Sequence, residues 1–286
     1  MCCQRKIGRF EFEAKKLIYE MQAVPAVYFN LETWTNLRKT DIEKLKSIQG
    51  KVLRGLIGLP KSTPYWGVLY ELDVMPIMVA LTYKKLMFYH NIVNSDDNRI
   101  VKALVKEQEM SGNKECWVGN IMEEARSLDI MVSEEIVSGK PKSTWKKEVK
   151  SKIRLAVEQQ LEEMKKEYRK LRFLKKKGYD TYLKETYNEN ARKGMKIRLN
   201  MVEWIADNMG GSSRCPLCGK DNDTTEHVFR CDVVENNSSV TVKDLEDGVK
   251  MREIVELFNR NEEARREKMK DEIILNFDIL RREGTL

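Results

Sequence analysis

Three cysteines and a histidine fall within seventeen residues, at Cys215, Cys218, His227 and Cys231, and no other feature of this chain restricts its folding as strongly. Cys215-Pro216-Leu217-Cys218 sets two thiols two residues apart, close enough for one tight turn to aim both at a single ion, and Gly219 is free to take the positive φ such a turn needs. Thr224-Thr225-Glu226 reads as a helix start, and on that helix His227 and Cys231 stand four residues apart, on one face. Three thiolates and an imidazole make a closed, soft donor set, which favours Zn2+ over oxygen-seeking cations and leaves no open position for a catalytic water. The expectation is one structural Zn2+. Binding of that kind contributes on the order of 10 kcal/mol, so the local fold should depend on it.

The other cysteines, Cys2, Cys3 and Cys116, are scattered, which fits a reducing, intracellular compartment rather than a disulfide framework. No apolar run approaches the roughly 20 residues of a membrane span. Charged residues make up 34% of the chain while Gly and Pro number only 15 and 6, a balance that favours long amphipathic helices. The expected fold class is therefore mainly α: a helical bundle, a long basic helix and a small zinc-knuckle module.

Apolar spacing places the elements. Leu17, Ile18, Met21, Val24, Ala26, Val27 and Phe29 suggest a buried helix interrupted near Pro25. Thr40, with Glu43 three residues on, can open a helix through Ile42, Leu45, Ile48, Val52, Leu53 and Leu56, closed by Gly58 and Pro60. Thr63-Pro64 predicts the cap of a short helix to Leu72, and Met75-Pro76 the start of another through His90. Gly139 and Pro141 mark a connection over 137–143. Trp145, Val149, Ile153, Val157, Leu161, Met164, Tyr168, Leu171 and Leu174 then predict a straight helix of about 50 Å, ended by Lys175, Lys176, Lys177 and a Gly178 cap. This gives four parts: a bundle over 1–140, a basic helix and hairpin over 141–208, the knuckle over 209–235 and a charged helical tail over 236–286.

Positive charge is clustered. From Lys165 to Arg198 thirteen Lys and Arg stand against four acids, a local excess of +9 in a chain whose total is +7. Tyr168, Phe173, Tyr179, Tyr182 and Tyr187 are interleaved with them, a mixture able to pair phosphates and stack unpaired bases. Lys175, Lys176, Lys177, Arg192, Lys193, Lys196 and Arg198 are the leading phosphate-contact candidates, with Lys51, Arg54 and Lys61 as a second face. The competing reading is a solvated helix face over an aromatic core.

Three stretches carry a resemblance: Tyr28 to Trp34, Leu45 to Leu72, and Arg214 to Cys231 with its Thr224-Thr225-Glu226-His227 run. Together they resemble the region downstream of the palm in reverse transcriptases of non-LTR (LINE-like) retrotransposons. That resemblance implies a helical thumb that grips template and primer, followed by a cysteine-histidine motif, and hence RNA or an RNA–DNA duplex as partner, held by its backbone. It also implies a separate palm-bearing chain as a possible partner, and nuclear residence. The family's polymerase site needs paired aspartates for Mg2+. The one adjacent pair here, Asp96-Asp97, lies between Asn94-Ser95 and Asn98-Arg99 and reads as a solvated loop. The chain is thus expected to lack polymerase activity of its own; no Gly-rich phosphate loop precedes a helix, and with His227 committed to metal only His90 remains to activate a Ser or Cys nucleophile. A zinc-stabilised helical scaffold for a protein partner is the alternative, drawn from the mixed-charge stretch Arg252 to Arg282.

Overall fold

The computed structural model describes residues 12–185, 189–206, 213–234, 236 and 239–282. Among these residues the structure is helical and has no strand: α1 (Phe12–Ile18), a π-helical turn (Tyr19–Ala23), α2 (Val24–Tyr28), α3 (Lys39–Ile57), α4 (Tyr65–Leu72), α5 (Ile77–Val93), α6 (Ile100–Ser111) and α7 (Trp117–Arg126). There follow α8 (Glu134–Val137), α9 (Lys142–Glu167), α10 (Tyr182–Glu185), α11 (Glu189–Arg198), α12 (Thr225–Val228), α13 (Val242–Asp247) and α14 (Met251–Arg282). They form two compact units that alternate along the chain. The first comprises Ala14–Leu56 and Val74–Glu167; the second includes Ile57–Asp73 and the described residues from Tyr168 onward. The expected connection over 137–143 therefore lies inside the first unit.

In the first unit α5 is the central element, its Leu86, Tyr89 and Val93 meeting Val118, Ile121 and Ala125 of α7 and Trp145, Val149 and Ile153 of α9. Pro76 has no side chain to cap α5, and Gln49 of α3 takes that place, accepting from the Ile77 N–H at 2.9 Å while donating to the Met75 carbonyl. Lys85 is fully buried and pairs with Glu124 at 2.6 Å. Cys116 caps α7, its sulfur accepting from the Gly119 N–H.

Several local expectations change. The stretch near Pro25 is interrupted by the π turn, and Leu17, Met21 and Phe29 are exposed rather than core. The second helix opens at Lys39, so Thr40 lies within it. Thr63 donates to the Pro60 carbonyl instead of capping α4. His90 is buried against the Trp145 ring.

The long helix is the largest correction. α9 has 26 residues, about 39 Å at 1.5 Å per residue, and stops at Glu167. Tyr168 is extended, with φ −109° and ψ 103°. A continuing helix would turn Phe173 away from Leu171 and Leu174; breaking it buries all three. Gly178 is not a left-handed cap either: a Cβ there would lie 1.9 Å from a Glu71 carboxylate oxygen.

That carboxylate anchors the second unit. Glu71 and Arg198 are both fully buried and meet at 2.8 Å, and the Tyr182 hydroxyl donates to Glu71 at 2.9 Å. Arg198 also donates to the carbonyls of Lys176 (2.6 Å) and Glu246 (3.0 Å), so one guanidinium joins α4, the loop before α10, α11 and α13. Burial raises the Glu71 carboxyl above its ordinary pKa against the pull of the Arg198 charge. Burial lowers Arg198, and the Glu71 and Tyr182 oxygens more than restore it. Arg198→Met leaves a buried carboxylate without its cation, and the urea-unfolding free energy is expected to fall by about 3–5 kcal/mol. A loss under about 1 kcal/mol would contradict this role for the pair.

Candidate metal centre

The turn that carries Cys215 and Cys218 is closed by backbone bonds. The Cys215 N–H donates to the Asp221 carbonyl at 2.7 Å, the Gly219 N–H to the Cys215 carbonyl at 2.9 Å, and Arg214 bridges Asn222 in antiparallel fashion. Gly219 takes φ +68°, as its place in the turn requires. Thr224 then caps α12, its hydroxyl accepting from the His227 N–H at 3.1 Å. α12 spans only four residues, so Cys231 follows the helix instead of standing on it; the turn after Val228 still brings it back to the cluster.

One ligand atom from each of Cys215, Cys218, His227 and Cys231 lies within 4.8 Å of the others, a set that could hold a single metal ion. Cys215, His227 and Cys231 are buried and Cys218 is partly open. His227 Nε2 is 3.3 Å from the Cys218 sulfur. Its Nδ1 is 3.4 Å from the exposed Asp221 carboxylate, within ion-pair range though not aligned for a hydrogen bond.

The Cys218 and Cys231 thiols do not ionise alike. Burial pushes Cys218 upward, but the N–H groups of Lys220 and Asp221 and the neighbouring sulfurs outweigh it and hold its pKa below the ordinary value. Burial pushes the Cys231 thiol up to about 11. A cation bound among them would favour the thiolates, and binding would then expel the proton that Cys231 carries at neutral pH.

The loop is tied into the second unit by residues the spacing of ligands does not reveal. Asp223 and Arg265 are both buried and form a bidentate pair, with Arg265 Nη1 to Asp223 Oδ2 at 2.9 Å. Arg265 further donates to the Trp204 carbonyl at 3.0 Å and to Asn261 at 2.8 Å, and its Nη2 is 4.0 Å from the Cys215 sulfur. Asp223 also accepts from the Ala206 N–H. Thr225 donates to Asn200 at 2.6 Å, and Arg172 pairs with Glu226 at 2.8 Å. Within the stretch read as a charged helical tail, Ile254, Val255, Leu257 and Phe258 of α14 are core, and Asn261 and Arg265 continue the same stripe. A polar pair on an otherwise apolar stripe was the available signal for a buried partner.

The phosphate-contact candidates fare unevenly. Arg198 is buried in the Glu71 pair and is withdrawn from any surface role. Lys175 pairs with Glu246 at 2.5 Å, Lys176 with Asp247 at 3.8 Å and Lys177 with Asp73 at 2.5 Å, so the triple-lysine run is largely neutralised. Arg192 lies 3.6 Å from Glu189, and Lys193 donates to Asn259 at 3.1 Å. Among the described residues Lys196, Lys51 and Lys61 have no carboxylate partner, whereas Arg54 is half-buried, which lowers its pKa. Phe173 and Tyr182 are buried and cannot stack on a base; Tyr168 is exposed; Tyr187 lies outside the described residues. Cys2 and Cys3 lie outside them as well. Asp97, in the loop before α6, pairs with Lys102 at 2.7 Å. No helix among the described residues is long and apolar enough to cross a membrane.

A better surface lies earlier. Lys142, Lys146, Lys147 and Lys150 of α9 are exposed and have no carboxylate partner among the described residues; Lys150 sits over the Tyr83 ring. Lys142, Lys146 and Lys150 follow one another four residues apart on one ridge, where like charges repel unless an anion joins them.

Compared with protein-family models, curated proteins and solved structures, the chain gives no match.

Arg265→Met is expected to weaken metal binding by about 10- to 100-fold in competition with a chromophoric chelator, because the Cys215 turn loses its buried anchor. Unchanged affinity would count against that anchor. Metal loading at neutral pH is also expected to release protons, Cys231's among them, so the calorimetric heat should differ between buffers of unlike ionisation enthalpy. Equal heats would show that the thiols were already ionised.

Proposed function

We propose that this chain is a zinc-organised helical protein that binds nucleic acid through its backbone phosphates. The observation that carries the reading is the α9 row of Lys142, Lys146, Lys147 and Lys150, exposed and without carboxylate partners among the described residues. Such a row attracts a polyanion and gains by releasing its counterions. Zinc is the metal that three thiolates and an imidazole favour, and a closed set of four makes it a structural ion. The resemblance to the thumb and C-terminal region of non-LTR reverse transcriptases supports the same partner, RNA or an RNA–DNA duplex. On this reading the chain is a palm-less portion of such an enzyme, without polymerase activity of its own.

A second reading, a scaffold for a protein partner, is favoured by Ile100, Val101 and Leu104, which are 77%, 50% and 49% exposed on successive turns of α6. One experiment separates the two. Purified protein, expected to carry one zinc per chain by elemental analysis, is titrated with labelled RNA, DNA and hybrid duplex at two salt concentrations. Reversing Lys146, Lys147 and Lys150 to Glu is expected to lower the slope of log affinity against log salt by about 2 to 3, with zinc content unchanged. An unchanged slope would remove α9 from the interface, and no binding at low salt would turn the reading to the scaffold.

A further inference from the structure

Within the second unit, α11 and α14 flank a cleft of about 220 Å3. Sites that enclose drug-sized ligands run to roughly 300–1,000 Å3, so this one suits a single planar ring. Its lining joins two aromatic rings, Trp204 and Phe258, to two cations, Lys193 and Lys196.

Trp204 is a fixed wall. The Arg265 guanidinium lies over its ring at 4.5 Å while donating to its backbone carbonyl, and the Phe258 ring stands 5.9 Å away, tilted by 50°. Arg265 is in turn held by Asp223, eight residues after Cys215, so the metal loop sets the wall in place before any ligand arrives. Lys196 has no carboxylate partner among the described residues, and the hydrogen bond from Lys193 to Asn259 leaves its charge uncompensated. Two acids also line the cleft: Glu262 is paired with Arg266, and Glu203 is exposed.

We infer that this cleft is a stacking subsite for one unpaired base of a single-stranded nucleic acid, the base lying against Trp204 and its flanking phosphates meeting Lys193 and Lys196. The inference rests on the nucleic-acid reading and adds the strand type. A paired base cannot enter so small a cleft, whereas any single base offers a π face, so the site selects for unpaired strands rather than for sequence.

The test uses the full-length, metal-loaded protein with short labelled oligouridine and oligothymidine, read by anisotropy and by quenching of tryptophan fluorescence. Trp204→Ala is expected to weaken single-strand binding roughly tenfold or more while duplex binding holds. An abasic strand of equal length should show a similar loss with the wild-type protein, a measurement free of any folding effect. Lys196→Glu, a change outside the core, should weaken the intact strand as well; circular dichroism and metal content verify both variants. If the wild type binds single strands and neither the abasic strand nor either variant loses affinity, the subsite is overturned and the nucleic-acid reading survives. If the wild type binds no nucleic acid at low salt, both fall.

Discussion

The buried pair of Asp223 and Arg265 is the interaction on which the C-terminal half of this protein depends. A four-ligand loop has too little apolar surface to hold itself against a helix, and a buried guanidinium is costly unless each of its donors is used. Here the two requirements meet each other. Arg265 spends its donors on Asp223, Asn261 and the Trp204 carbonyl, so the loop, the segment after α11 and α14 are fixed by one side chain. Glu71 and Arg198 likewise tie together α4, α11 and α13, with Gly178 left bare so that the carboxylate can fit. Every nitrogen of the Arg265 guanidinium is used, whereas Arg198 Nε has no hydrogen-bond partner, so the Asp223–Arg265 pair is the more complete of the two.

The clustering of Cys215, Cys218, His227 and Cys231 and most helices were legible in the sequence because they depend on local rules. The Cys215–Cys218 turn, the Gly219 conformation and the Thr224 cap each follow from a few neighbouring residues. The long helix was overrun because its 3.6-residue period persists past Glu167 while the chain turns to bury Phe173 beside Leu171 and Leu174, a tertiary gain that periodicity does not encode. Arg198 and Lys175 to Lys177 were misjudged for a related reason. A count of charges along the chain cannot show that Glu71, Asp73, Glu246 and Asp247 return from distant segments to meet them. The cations Lys142, Lys146, Lys147 and Lys150 of α9 lay outside the densest basic window, yet they too have no carboxylate partner among the described residues.

Charge density and available charge are therefore different quantities in this fold. In the second unit most of the basic residues named as candidates hold the structure together; Lys61 and Lys196 are exceptions, and Lys196 stands beside an aromatic cleft. In the first unit the exposed cations of α9 flank the stripe of Trp145, Val149 and Ile153 that anchors the helix, and their charges reach solvent without entering the core. A metal that organises the second unit through Arg265 would then bear on ligand binding without touching the ligand.

Hydrogen exchange of the full-length protein, with and without a metal chelator, tests that central claim most directly. Removing the metal is expected to deprotect 213–234 together with the first turns of α14 from Met251 to Arg265, while α5, α7 and α9 keep their protection. Deprotection confined to 213–234 would contradict the account, because the metal loop would then be an appendage and Arg265 only a neighbour.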